Sequence, residues 1–268
     1  MIKVINCNNS NFTKKLTILL EKRRQVKRYD TKIVSSIIND IKKNKIKALL
    51  KYEKKFSKNK NIKPSKIQIN TAIKKLDPKV KKAIDFAYDR ILKFHSIQLK
   101  NLKNIIYKDK FKNKLEYRNV PIESVGIYVP GNLPSTLLMI SIPAKLAKVK
   151  RLVLATPKIN GNLNPAVLYV AKKVGIKEIY SFGGAQAIAS LAYIQKVNKV
   201  LGPGNRFVAE AKRQLSGKVI GTESMFAGPS EICVLADKDS NIDQVATSLI
   251  AQAEHDTDSQ CILITKDE

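Results

Sequence analysis

The chain has 268 residues, 44% of them hydrophobic but only 6% aromatic and none of them Trp, so it can enclose one large or two modest aliphatic cores. No apolar run approaches the ~20 residues that crossing a bilayer takes, and the N-terminal Met-Ile-Lys-Val-Ile-Asn-Cys lacks the apolar stretch of a secretory leader. Lys and Arg outnumber Asp and Glu by 50 to 22 for a formal net charge of +28, but Lys dominates and is scattered among Asn and Ile, which reads as a solvated basic surface rather than a base-reading nucleic-acid site.

In chain order, the part up to about residue 115 is helical in pattern. Asp30 and Thr31 offer a cap for a helix over 31–56 whose apolar side holds Ile33, Ile37, Ile38, Ile41, Ile46 and Leu49. Residues 57–66 are polar, contain Pro64 and read as a loop. Asp77-Pro78 then opens a helix with Val80, Ile84, Ala87, Ile91 and Phe94 at helical spacing. His95, near its end, reads as a surface or packing residue. From Val125 onward strands and helices alternate. Strands are expected at 125–129, 151–155, 178–182, 199–201, 232–236 and 261–265, and helices at 135–147, 164–174, 185–193, 206–215 and 242–254. Such alternation predicts parallel strands covered by helices. The change of texture near residue 120 predicts a domain boundary there. The separated cysteines Cys7, Cys233 and Cys261 read as reduced thiols, which points to the cytoplasm.

Three glycine-bearing turns follow strands: Tyr-Val-Pro-Gly (128–131), Gly-Gly-Ala-Gln (183–186) and Gly-Pro-Gly-Asn (202–205). Ligands of open α/β sheets lie outside the carboxyl ends of the strands, and a helix N-terminus there suits a phosphate. The turns therefore suggest a nucleotide pyrophosphate site, although a glycine at a βα turn also serves the turn alone and the Gly-x-Gly-x-x-Gly fingerprint is absent. Ala-Gly-Pro-Ser-Glu (227–231) can present Ser230 and Glu231 at the same sheet edge. Gln252 and His255, three apart on a helix, share a face and offer two donors to a metal that needs about four.

The ordered set Val-Gly-Ile-Tyr-Val-Pro-Gly (125–131), Gly-Gly-Ala-Gln-Ala-Ile-Ala (183–189), Gly-Pro-Gly-Asn-Arg-Phe-Val (202–208), Glu-Ala-Lys-Arg-Gln (210–214), Ala-Gly-Pro-Ser-Glu (227–231) and Gln-Ala-Glu-His (252–255) resembles histidinol dehydrogenase. The resemblance implies an α/β fold with a helical N-terminal region, in which a Rossmann-like parallel sheet domain at 125–231 is inserted in a second α/β domain formed by 1–124 and 232–268. It implies a zinc-dependent, NAD-linked, two-step oxidation of L-histidinol to L-histidine by a homodimer. Tyr128, Gln186 and Asn205 match the family's NAD-binding positions. Ser230, Gln252 and His255 match substrate-binding positions, and Gln252 and His255 match two of four zinc ligands. The family's catalytic Glu-His pair and remaining zinc ligands have no counterpart in this sequence, so residues 1–268 are expected to be an N-terminal portion with negligible turnover alone. Two other readings stay open: a relative oxidising another small diol or amino alcohol, and a decayed, non-catalytic basic binding protein.

Overall fold

A computed structural model describes residues 3–21, 28–99, 102–223, 231–254 and 259–266. The chain forms two compact units, one of residues 1–29 with 227–268 and one of 30–226, so the larger is inserted in sequence within the smaller. Helix α1 (Phe12–Glu21) belongs to the smaller unit. The larger holds α2 (Arg28–Ser57), α3 (Lys66–Lys74), α4 (Pro78–Leu99), β1 (Ile105–Lys108), β2 (Lys114–Tyr117) and β3 (Ser124–Tyr128). It continues through α5 (Pro134–Leu146), β4 (Arg151–Ala155), α6 (Pro165–Lys173), β5 (Glu178–Tyr180), α7 (Gly184–Tyr193), β6 (Lys199–Leu201) and α8 (Arg206–Leu215). In the smaller unit, β7 (Glu231–Ala236) and β8 (Gln260–Thr265) pair in parallel, joined by α9 (Ile242–Ala253). Asn241 caps α9 by accepting the Gln244 N–H.

The larger unit is built on a parallel sheet in the order β5-β4-β3-β6. Every residue of β3 is buried, because helices cover both faces. Val125, Ile127, Leu154 and Ile179 pack toward residues of α4, α5 and α6, including Ile84, Leu137, Ile142 and Val167. Val153, Ala155 and Val200 pack on the other face with Ile37, Ile41 and Leu49 of α2, Ile188 and Leu191 of α7 and Val208 of α8. The α/β class and the helical N-terminal region expected from the sequence are both present.

The N-terminal region departs from the sequence expectation in three places. The helix expected over 31–56 is broken at Lys45 (φ 48°, ψ −124°). Val34, Ile37, Ile38 and Ile41 are buried before the break and Ala48, Leu49, Tyr52 and Glu53 after it, while Ile46 is 45% exposed. A single apolar side carried across the break misplaces Ile46, because the non-helical Lys45 resets the phase of the second segment. The second departure is α3, which follows directly on the polar loop. Its start is a capping box: Ser65 Oγ accepts the Gln68 N–H and Gln68 Oε1 accepts the Ser65 N–H. Third, β1 and β2 form an antiparallel hairpin inside the stretch read as helical. Asp109 decides it, since its Oδ1 accepts the N–H groups of Phe111 (2.9 Å) and Asn113 (2.8 Å) and turns the chain back.

The strand order places the first strand of the sheet, β3, between the second, β4, and the fourth, β6. The connection after β3 (α5) and the one after β6 (α8) run to opposite faces of the sheet, which makes the carboxyl end of the β3–β6 pair a topological switch point. Gly202 ends β6 there with φ +122°, and a Cβ at that position would lie 1.9 Å from the Tyr128 carbonyl oxygen. Gly202→Ala is expected to cost about 3 kcal/mol or more, from backbone strain plus the displacement of β3. Urea unfolding of the two proteins would measure it, and a loss below about 1 kcal/mol would show that the two strands separate easily.

Candidate functional site

The switch point lies at the end of β3, with the glycine turns that follow β5 and β6 beside it. Tyr128, the last residue of β3, is 5% exposed, and its hydroxyl accepts the Gly184 N–H at 3.4 Å. Burial pushes the phenol's pKa up, and the nearby Glu53 charge adds to the rise. Gly183 and Gly184 link β5 to α7. Gln186, in the first turn of α7, is 3% exposed, and its Nε2 donates to Glu53 Oε1 at 2.8 Å. The Gly183 N–H donates to the same oxygen at 3.1 Å. Glu53 is 1% exposed and comes from α2. Its carboxyl pKa is raised by burial, opposed by the Gln186 and Gly183 hydrogen bonds.

On the β6 side, Gly202 to Asn205 form the turn into α8. Asn205 is exposed, and its Oδ1 accepts the N–H groups of Phe207 and Val208, both at 3.2 Å. Lys212, further along α8 and 2% exposed, reaches back to this turn. Its ammonium donates to the Gly202 carbonyl and to Glu223 Oε1. Burial lowers the Lys212 pKa and the Glu223 carboxylate opposes that. A buried cation thus holds the carbonyl of the glycine that lies against Tyr128.

A family model described as histidinol dehydrogenase matches residues 20–268. The chain belongs to this family. A histidinol dehydrogenase of Pelagibacter ubique is 57% identical over 275 residues, covering 100% of this chain and 64% of its own length. That of Brucella suis is 41% identical over 279 residues, with the same two shares. The chain therefore spans about 64% of the length of these curated relatives. A crystal structure of histidinol dehydrogenase from Elizabethkingia anophelis superposes with a TM-score of 0.77 at 42% identity, covering 88% of this chain and 56% of that one.

Of the residues the family resemblance singles out, the structure links Tyr128 and Gln186 through Gly184 and Glu53. It sets Asn205 on the turn that starts against the Tyr128 carbonyl. Gln252 lies on α9 in the smaller unit, half-buried, with its Nε2 enclosed and without a partner. Ser230 and His255 lie outside the described residues. Among the described residues, no three His, Cys, Asp or Glu side chains are grouped to hold a metal. Sequence reasoning missed Glu53 and Lys212. The signal for Glu53 was present: it stands four residues after Leu49, on the apolar side of its helix, where a carboxylate calls for a buried partner.

Glu53→Leu, which strands the Gln186 amide and the Gly183 N–H, is expected to cost about 2 kcal/mol, whereas Glu53→Gln keeps an acceptor and costs less. A carboxyl whose folded pKa is raised contributes most below its ordinary value of 4.5 and loses that contribution as pH rises through the folded value. Wild-type stability measured relative to Glu53→Gln should therefore fall with rising pH across that window. A rise would show that the hydrogen bonds, not burial, control the group. Lys212→Met is expected to cost about 3 kcal/mol by leaving Glu223 without its cation, and Lys212→Met with Glu223→Leu to recover most of it, as read by urea unfolding.

Proposed function

We propose that this chain carries the nucleotide-binding portion of an NAD-linked histidinol dehydrogenase, acting in the whole protein on L-histidinol to give L-histidine in the cytoplasm. The observation that carries the reading is the β3–β6 switch point with its flanking glycine turns, in a chain of this family. A dinucleotide in a sheet of this order lies across the carboxyl ends of the strands with its two halves on either side of the switch. The residues fit such a guest. The missing side chain at Gly202 keeps the turn low, and the α8 N-terminus behind Asn205 offers partial positive charge for the pyrophosphate. Tyr128 and Gln186 form a buried polar layer beneath the opposite corner. The Rossmann-like domain proposed here covers residues 125–231.

Bound NAD supplies the hydride acceptor, and the chain's residues orient it and exclude water around it. For zinc the described residues give a weaker fit. Gln252 offers at most its amide oxygen, since the enclosed Nε2 is a donor that does not bind a cation, and a metal needs about three further ligands. We assign the metal to Gln252 and His255 together with ligands from the part of the family's length that this chain does not represent, and derive no step through it. Ser230 is assigned to the substrate on the resemblance, and the homodimer likewise.

Titration of NADH by its own fluorescence tests the reading. Saturable binding is expected, weakened roughly tenfold by Asn205→Asp, which retains a good helix cap but sets a negative charge where the pyrophosphate would sit. Absence of saturable binding to the folded chain would remove the nucleotide assignment.

A further inference from the structure

The outer side of α2 differs in charge from the rest of the chain. Residues 41–63 hold ten Lys and one acidic residue, against 50 basic and 22 acidic in the whole chain, and that acid is the buried Glu53. Beyond the break at Lys45, Ala48, Leu49, Tyr52 and Glu53 face the core. Lys47, Lys51, Lys54 and Lys55 therefore fall on the opposite, exposed side at i, i+4, i+7 and i+8. Like charges three and four residues apart destabilise a helix. Asp40 answers only Lys51, at 2.9 Å. Among the described residues, no carboxylate pairs with Lys47, Lys54 or Lys55.

Aromatic rings are interleaved with these cations. Phe56 is 54% exposed and stacks on Tyr52 with the ring centroids 5.8 Å apart. The Lys51 and Lys55 ammoniums lie 5.2 and 5.5 Å from the Tyr52 and Phe56 centroids. The row continues through the exposed Lys58, Lys60 and Lys63 of the following loop, and Lys63 lies 6.0 Å from the centroid of the half-buried Tyr180. At the other end, Lys42 and Lys45 share the ring of Tyr193 at 5.9 and 5.5 Å.

Three properties select the partner. The helical part of the row is narrow and about 12 Å long at 1.5 Å per residue, which matches a line of phosphates better than a plane of charge. Lysine ammoniums hold phosphates as point charges and lack the guanidinium fork that reads base edges. An exposed ring stacks on a base only where that base is free of its duplex neighbours, as in a single strand. A lipid surface fits less well, because the apolar side of α2 is occupied by the core with α7 and α8 and cannot sink among acyl chains. We propose that the outer side of α2 and the loop after it bind single-stranded nucleic acid without sequence preference, with phosphates along the lysine row and a base on Phe56. This activity is independent of the nucleotide assignment at the glycine turns.

The test follows the fluorescence anisotropy of a labelled oligothymidylate of roughly twelve nucleotides with the full chain over a range of salt. Saturable binding that persists at about 0.15 M salt is expected. Lys47→Glu with Lys54→Glu and Lys55→Glu should weaken it at least about tenfold and lower the salt slope by about two. Lys79→Glu with Lys82→Glu and Lys93→Glu, at exposed positions of α4 across the sheet, makes the same change in net charge and should weaken it far less. Phe56→Ala should weaken it about fivefold or more and leave the salt slope unchanged. Thermal melts report folding, and Lys47→Gln with Lys54→Gln and Lys55→Gln replaces the glutamate triple should that protein not fold. Equal losses in the α2 and α4 triples overturn the proposal, because they reduce the attraction to net charge. Binding lost by about 0.15 M salt overturns it too. Equal affinity for the matching duplex, or an unchanged affinity in Phe56→Ala, overturns the single-strand assignment. Binding to vesicles of phosphatidylcholine and phosphatidylserine, with none to the oligonucleotide, overturns it in favour of a lipid surface.

Discussion

The approach of Gly202 to the Tyr128 carbonyl governs the larger unit. The strands β3 and β6 stay paired to Ile127 and Leu201, and the turn after β6 lies against the end of β3. A glycine with φ +122° and no Cβ makes the flat turn. From that turn follow the start of α8 at Asn205, the direction in which α8 runs, and the return of Lys212 to the Gly202 carbonyl.

The second tie is polar and joins the helical region to the sheet unit. Glu53 on α2 satisfies two donors of α7, and Asn59, just beyond α2, donates to the Ser181 carbonyl at 2.5 Å. These groups are buried, so losing one partner costs the desolvation of the other, which is larger than the net value of the bond itself. The Arg151–Glu178 pair, with its two parallel bonds of 2.7 and 2.8 Å, clamps β4 to β5 at a half-exposed edge. The exposed Lys51–Asp40 pair contributes little by comparison.

The smaller unit is of another kind. Its two parallel strands are six residues each, and α9 between them buries none of its residues. Leu235, Ile242 and Ile250 are exposed on it. Among the described residues, a βαβ element of this size encloses little apolar surface.

The sequence by itself determined the alternation of strands and helices after residue 125, because runs such as Val-Gly-Ile-Tyr-Val and Arg-Leu-Val-Leu-Ala are apolar on both faces and are punctuated by glycine and proline. It also determined family membership, since the glycine corners recur in order. The capping box of α3 and the Asp109 turn were written locally and went unread. Only the tertiary structure decided the break at Lys45, the strand order and the partners of Glu53 and Lys212. The Glu53–Gln186 bond spans 133 positions, and no periodicity or spacing connects residues that far apart. Which buried carboxylate meets which amide depends on how α2 packs across the sheet, a choice made by the summed burial of Ile37, Ile41 and Leu49 against α7 and α8 rather than by either polar residue.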